Sequence, residues 1–510
     1  MDRRLLVVTA VLVAGLHLSS DPRADAPRLD AALLARLRAP HGSSQVIIRT
    51  TTNLPIDDVV REAGGTTIRS LGAASVVALV PDGALARLAA NPRVASVSAD
   101  RRVTSTAAAG GVLDRIARLP RALGVDGSGV GVATIDSGIS AGHEVIASGR
   151  LAHWMDFVSH LEVPYDDYGH GTHVAGIIAA GDSGDHRGIA PGANLIVLKA
   201  LDGTGSGRVS DVIAAVDYAI ANRDRFNIRV INLSVAAGVY ESYHTDPLAQ
   251  AALRAVRAGI VVVAAAGNFG RTPGGEVQPG SIAAPGNAPW VLTVGASDDR
   301  ATADPSDDIV AAFSSRGPTA IDGLSKPDVI APGVGIEAAA DPASALFALQ
   351  PGGRVWGDAH GGGVPSLRLS GTSMAAPIVT GTVALIAEAA PGLTPNAIKA
   401  ILEFTAQPRA GEDDEAQGTG LLNMGGAIAL ARQLAAKAGN STLDEASAGT
   451  AAWSHRIIWG TQQVTGDFVA PSMRAWDLDV PWGADGSATG EIVTWGALCQ
   501  PERSGCGATR

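Results

Sequence analysis

Apolar residues along this chain come in short runs, and the spacing inside the runs changes from stretch to stretch. Val130-Gly131-Val132-Ala133-Thr134-Ile135 is apolar and rich in β-branched residues, and it stops at Asp136-Ser137-Gly138. A run of that kind ended by turn residues reads as a buried strand. Runs at 194–198, 229–233, 260–264 and 290–294 read the same way, while 173–180, 209–222 and 248–258 carry helical spacing between some of them. A small-residue helix is expected at 375–389, and the glycine-rich stretch 340–368 shows no period and reads as a long surface loop. Alternating strand and helix over 124–434 implies an α/β fold, a parallel sheet with helices on both faces. Such sheets place their sites at the carboxyl ends of strands, which is where Asp136 and Asn268 fall.

Two flanking stretches differ in pattern. Residues 45–49, 66–71, 75–80 and 94–97 read as strands, with helices at 56–63 and 83–90. That βαββαβ order suits a ferredoxin-like α+β unit. At the other end, five of the eight tryptophans lie between Trp453 and Trp495. Trp453-x₅-Trp459-Gly460 recurs as Trp476-x₅-Trp482-Gly483, 23 residues on, and Trp495-Gly496 is a partial third copy. A small, β-rich appendage packed on the main unit is the preferred reading, with exposed indoles for carbohydrate or cell-surface contact as the alternative. The expected division is 1–26, 27–108, 109–436 and 437–510.

Composition narrows this further. The 510 residues are 46% hydrophobic and 17% charged but only 4% aromatic, so the core should be aliphatic and closely packed. Net charge is −11 and no basic cluster suggests nucleic acid. Residues 27–108 hold ten arginines against six acidic residues, net +4, and 1–26 is neutral, so the remainder carries −15. A basic unit beside an acidic one gains electrostatic steering. Arg3-Arg4, the apolar stretch 5–18 and Ala24-Asp25-Ala26 read as a secretory signal too short to span a membrane. With no second long apolar stretch, a released, extracellular protein without a membrane anchor is expected, and a monomer. Cys499 and Cys506 are the only cysteines; an exported chain makes a disulfide between them plausible.

Candidate chemistry centres on Leu369-Ser370-Gly371-Thr372-Ser373-Met374-Ala375. A serine becomes a nucleophile when a base takes its proton and a third group orients the base. His170 in Tyr168-Gly169-His170-Gly171-Thr172-His173 and Asp136 supply candidates for those partners, and Val263-Ala264-Ala265-Ala266-Gly267-Asn268 supplies an amide. Alone, each motif would be a turn, a cap or a weak metal pair. Together, in the order Asp, His, Ser, they resemble the subtilisin-like serine proteases (subtilases, peptidase S8) over about 124–434.

The resemblance implies a secreted serine endopeptidase acting on proteins or peptides. Asp136 would orient His170, His170 would take the Ser373 proton, and Asn268 with the Ser373 amide would hold the oxyanion. His173 would be structural. Ser234, Val235, Gly205, Gly267 and Ala283 would line the substrate edges and pocket. Val235-Ala236 stands where the family often has glycine, and Ala283 near the pocket floor permits a medium or large apolar side chain. Asn232-Leu233-Ser234 is formally a glycosylation sequon, discounted because a buried strand accepts no glycan. Residues 27–108 resemble the family's inhibitory propeptide, ending Val94-x-x-Val97-x-x-Asp100-x-x-Val103, which implies a zymogen cut by itself within 103–111. The family needs no cofactor but often holds calcium. Here His143-Glu144-Val145 lacks the usual aspartate, the loop 181–186 is short, and Asp322 offers at most a weaker site, so no metal ligand is assigned. The competing readings are an inert binding or scaffold protein on the same fold, and a lipase or esterase, whose Gly-x-Ser-x-Gly elbow and residue order differ from those here.

Overall fold

A computed structural model describes residues 28–104, 122–181, 187–356, 365–436, 452–493 and 508–509, apart from 41, 52–54, 73, 301, 303–304, 467–468, 471–472, 488, 490 and 492. The expected signal at 1–26, the joint at 105–121, the loop 182–186 and both cysteines lie outside the described residues.

The first unit contains α1 (Ala31–Arg38), β1 (Ser43–Thr50), α2 (Asp57–Glu62), β2 (Thr66–Leu71), β3 (Ser75–Pro81), α3 (Leu85–Ala89) and β4 (Val94–Ala99). Its strands form one antiparallel sheet in the order β2-β3-β1-β4. Val46-Ile47-Ile48 is apolar on both faces for a reason. Val46 and Ile48 pack with Val60, Leu85 and Leu88 of the unit's own helices. Ile47, Val77 and Leu71 point the other way and join the core of the second unit. Helix α1 was not expected; Asp30 caps it by accepting from Leu33 N (2.7 Å) and ties it to β4 through Ala99 N (2.6 Å).

A short strand, β5 (Arg102–Thr104), leads into the second unit. There β6 (Gly131–Asp136), β7 (Leu151–Asp156), α4 (His170–Ala179), β8 (Asn194–Lys199), β9 (Ser206–Arg208), α5 (Val209–Ala221), β10 (Ile228–Leu233), α6 (Pro247–Arg257), β11 (Val261–Ala265), β12 (Leu292–Asp298), β13 (Ile309–Val310) and β14 (Val329–Pro332) follow. The main sheet runs β13-β12-β11-β10-β6-β8-β7, with β14 on β12, and only the β12–β13 pairing is antiparallel. The Val- and Ile-rich runs are buried along their length, as parallel strands covered on both faces require. Strand β7 was not anticipated because its sequence, Leu-Ala-His-Trp-Met-Asp, hides its apolar face among polar and aromatic residues.

The stretch expected to be structureless corrects that expectation. β15 (Ile336–Ala339), β16 (Arg354–Val355) and β17 (Ser366–Leu369) form an antiparallel sheet, with a helix at Ala345–Leu349 capped by Ser344. These elements are too short to show a period. Then come α7 (Thr372–Ala389), α8 (Pro395–Thr405) and α9 (Met424–Ala435). Among the described residues, α7 is the helix long and apolar enough to cross a membrane, but it is the buried central helix, packed on β10, β11 and β12.

The tryptophan repeat folds back on this core. β18 (Arg456–Trp459) and β19 (Gln462–Thr465) make a hairpin, and Trp453, Trp459, Trp476 and Trp482 are all buried. Trp459 and Trp482 sit 4.4 Å apart. Each indole N–H donates to backbone beside the other tryptophan: Trp459 to Ala484 O at 3.0 Å, Trp482 to Ile458 O at 2.9 Å. The following glycines face each other so closely that a Cβ on Gly460 would come 3.0 Å from Gly483 Cα. The appendage is therefore packed rather than presented; Trp495 lies outside the described residues.

Candidate active site

Asp136 ends β6, the segment 234–236 follows β10, and Asn268 follows β11. These strands are neighbours in the order β11-β10-β6, so their carboxyl ends stand side by side. The amino ends of α4 and α7 bring His170 and Ser373 to the same edge.

His170 Nδ1 lies 2.7 Å from Asp136 Oδ1, and both side chains are fully buried. A carboxylate only accepts, so Nδ1 carries the proton and Nε2 is left as the basic nitrogen. Nε2 is buried and has no hydrogen-bond partner. Asp136 Oδ1 also accepts from Ser137 N at 2.7 Å, which fixes the carboxylate plane. Backbone crowding enforces the approach of the two segments. A Cβ on Gly171 would lie 2.3 Å from Gly138 O, and one on Gly138 would lie 2.1 Å from Tyr165 O.

Asp166, which carried no sequence expectation, holds the start of α4. It accepts from Gly169 N (2.7 Å), Thr172 N (2.8 Å) and Thr172 Oγ1 (2.6 Å). Burial pushes its carboxyl above the usual range, and these donors oppose that shift. The signal was available, since an aspartate a few residues before a helical run is a cap pattern. Lys199 closes the far side, donating to Ser137 O (2.5 Å) and Asp167 Oδ1 (2.7 Å).

Ser373 owes its setting to a proline. Pro377 stands inside α7 and has no N–H for the Ser373 carbonyl four residues back. That carbonyl instead accepts from Ser234 Oγ at 3.0 Å, and Ser373 Oγ donates to Ser234 O at 3.1 Å. Behind Ser234, Asn232 Nδ2 donates to Ser234 Oγ (2.9 Å), and Asn232 Oδ1 accepts from Thr380 Oγ1 of α7 (2.8 Å). Asn232 is thus wholly engaged and buried. The Asn268 carbonyl oxygen accepts from Thr372 N (3.0 Å) and Thr372 Oγ1 (2.9 Å). With that end pinned, the NH₂ end is turned away from Thr372 and available as a donor.

The edge residues divide. β5 pairs antiparallel with β9, as Arg102↔Arg208, Val103↔Gly207 and Thr104↔Ser206. On its other side, Thr104 exchanges both backbone bonds with Ala236, each 3.1 Å. Ser206–Arg208 and Ala236 thus make the pairing, whereas Gly205 occupies the turn before it, closed by Gly205 N to Asp202 O (2.9 Å). Gly267 has φ 107°, and a Cβ there would lie 3.3 Å from the Ala283 methyl and 2.9 Å from Ser315 Oγ, so these residues share one wall.

Other candidates fall away from the site. His173 donates Nε2–H to Leu367 O at 2.9 Å, a structural bond inside the fold. His143 accepts from Val145 N (3.1 Å), and burial lowers its pKa to about 4, so it stays neutral. The Asp322 carboxylate accepts from Ser242 Oγ (2.5 Å) and Tyr243 N (3.1 Å). Among the described residues no group of three or more His, Cys, Asp or Glu could hold a metal.

A serine, a histidine and a buried aspartate at the carboxyl edge of a parallel sheet are the constellation that serine hydrolases with a three-residue active centre use. Comparison with known proteins gives the particular family. The chain matches the Subtilase family over residues 127–427 and belongs to it. Serine protease AprX of Bacillus subtilis is 42% identical over 305 residues, 58% of this chain and 65% of that protein, so the match spans just under two thirds of that relative. Subtilisin E of Bacillus subtilis is 34% identical over 354 residues, 68% of this chain and 80% of that protein. Among solved structures, fervidolysin from Fervidobacterium pennivorans, described as a keratinolytic enzyme related to subtilisin, superposes with a TM-score of 0.60 over 76% of this chain and 61% of its own. At 24% identity that likeness concerns the fold alone.

Proposed function

We propose that the chain is a secreted serine endopeptidase, made as a zymogen that processes itself. The observation that carries this reading is the seating of β5 between β9 and Ala236, two residues from Ser234, which bonds Ser373. An extended polypeptide occupies the groove by adding a strand to it, and a substrate main chain would bind the same way.

Rotation of the Ser373 side chain from Ser234 O toward His170 Nε2 sets up proton removal. Oγ attacks the scissile carbonyl as His170 takes the proton, and Asp136 stabilises the imidazolium. The Asn268 amide and Ser373 N–H hold the oxyanion. His170 returns the proton to the leaving amine, and water then releases the acyl group by the reverse sequence. Ser234 and Val235 flank the chain entering the site, and Gly267 with Ala283 bounds an apolar pocket before the scissile bond. Residues 27–108 act as the inhibitory propeptide, residues 1–26 direct export, and the action is on proteins or peptides. No cofactor takes part in these steps.

Production of the Ser373→Ala chain by itself tests the reading. The wild type should lose its N-terminal unit, hydrolyse casein and label with a fluorophosphonate. The variant should keep the unit and do neither. N-terminal sequencing that found the variant still processed would refute self-cleavage. An unlabelled wild type would favour an inert scaffold, and fatty-acyl ester hydrolysis without casein hydrolysis would favour an esterase.

A further inference from the structure

We propose that the contact between the N-terminal unit and the catalytic unit is a latch that loosens as pH rises, with the Glu241 carboxyl as its titrating group. The proposal rests on the reading of 27–108 as an inhibitory propeptide.

The segment 236–246 is where the first unit grips the second. Ala236 pairs with Thr104, and Tyr240 O accepts from Ala31 N at 3.4 Å. Gly238 O accepts from Arg101 Nη1 at 2.5 Å, and the Arg101 guanidinium lies 5.6 Å over the Tyr240 ring. Arg101 Nη2 pairs with Asp246, which is fully buried and caps α6 through Leu248 N and Ala249 N, each 2.9 Å. Glu241 sits inside this covered segment, and its Oε1 is buried with no partner.

Charge makes that position uncomfortable. The N-terminal unit faces Glu241 with Ser98, Asp30 and Arg101, and the catalytic unit backs it with Asp246. Arg49 of β1 also feels it, while Arg254 of α6, the next cation, is held by Asp217 at 2.6 Å. Arg101 already serves Asp246 and the Gly238 carbonyl. One guanidinium therefore answers to three neighbouring carboxyl groups, and Glu241 is left with the Ser98 hydroxyl rather than a cation as its close partner. Burial, then the Asp246 charge, push the Glu241 carboxyl up to about 7. Asp211, covered by the same unit and bonded to Arg69 at 2.5 Å, is pushed up by burial as well.

The direction follows from linkage. Once the N-terminal unit leaves, water reaches Glu241 and relieves burial, the largest cause of the shift, so its pKa falls back toward the ordinary 4.5 even though Asp246 stays beside it. The docked state keeps a proton that the undocked state sheds between about 4.5 and 7. Docking is unimpaired below that window, weakens by up to tenfold per pH unit through it, and levels off above. A cut chain would thus hold its inhibitor in acid and release it near neutrality and above.

Amide hydrogen exchange of the full-length Ser373→Ala chain tests this without relying on activity. Val209 N bonds to Arg101 O (2.8 Å), Ser210 N to the Asp100 carboxylate (2.9 Å) and Ala236 N to Thr104 O (3.1 Å), so these amides report undocking directly. Corrected for intrinsic chemistry, their protection should fall more than tenfold between pH 5 and pH 8. In Ser373→Ala/Glu241→Gln it should change less than threefold. Amides inside β10 and β11 report whether the fold is intact, and Ser373→Ala/Glu241→Ala serves if the glutamine variant misfolds. Equal pH slopes with and without Glu241 would overturn the proposal. A wild-type chain that fails to hydrolyse casein would instead count against the protease reading and leave the exchange result standing.

Discussion

At Ser373 the missing donor of Pro377 and the hydroxyl of Ser234 answer each other, so a helix defect becomes the anchor of the nucleophile. Ser234→Ala would leave Asn232 Nδ2 and the Ser373 carbonyl buried without partners. A buried unsatisfied polar group costs about 1–3 kcal/mol. The variant should therefore lose stability on that scale in denaturant titration and also lose kcat, because the start of α7 is no longer held. Asn268 works at both ends, since its carbonyl oxygen holds Thr372 in the resting fold while its NH₂ group matters where charge develops. Asn268→Ala should lower kcat by about 10²–10³, the magnitude known for loss of an oxyanion donor in a subtilisin, with KM little changed. Steady-state kinetics on one peptide substrate would check it, and an equal loss in 1/KM would point to ground-state binding instead.

Helices and strands of the catalytic unit were legible from the sequence because their apolar runs are long and β-branched, as in Val261-Val262-Val263 of β11. The candidate triad residues stood out in the sequence because each sits at a strand end or helix start marked by glycine. Pairings across distant segments left no periodic trace. Nothing in the Ser234 or Thr372 neighbourhood announces that one returns a bond to Ser373 and the other pins Asn268, 104 residues away in sequence. The tryptophan repeat was visible as a pattern, but its meaning required seeing Trp459 donate to Ala484 O and Trp482 to Ile458 O, each beside the other tryptophan. Lys399 of α8 lies 4.5 Å over the Trp482 ring, and Glu403 of the same helix accepts from Ile458 N at 2.7 Å, so the appendage shields buried charge. Truncating a buried aromatic of that size costs about 3–5 kcal/mol. Trp482→Ala should lower the denaturant midpoint of the catalytic unit itself; unfolding of the appendage alone, with the catalytic transition unmoved, would show the two to be independent.

Across the whole molecule, two adjacent residues of the N-terminal unit address two helices of the catalytic unit. Arg101 reaches Asp246 at the start of α6. Asp100 accepts from Ser210 N (2.9 Å) and Ser210 Oγ (2.7 Å) at the start of α5, which has no side-chain cap of its own. A helix N-terminus leaves amides unsatisfied and favours a carboxylate, so Asp100 supplies from outside what α5 lacks. Gln45 Nε2, bonded to the same carboxylate at 2.6 Å, holds it in place. Removing an N-cap carboxylate costs about 1 kcal/mol, roughly fivefold in an equilibrium. Asp100→Ala should therefore weaken docking about fivefold and bring activity forward in a maturation time course. Asp100→Asn, which keeps an accepting oxygen, should fall between. If Asp100→Ala matured at the wild-type rate, the cap would be incidental, and the hold of the first unit would rest on the buried Ile47, Leu71 and Val77 face and on the pairing of β5.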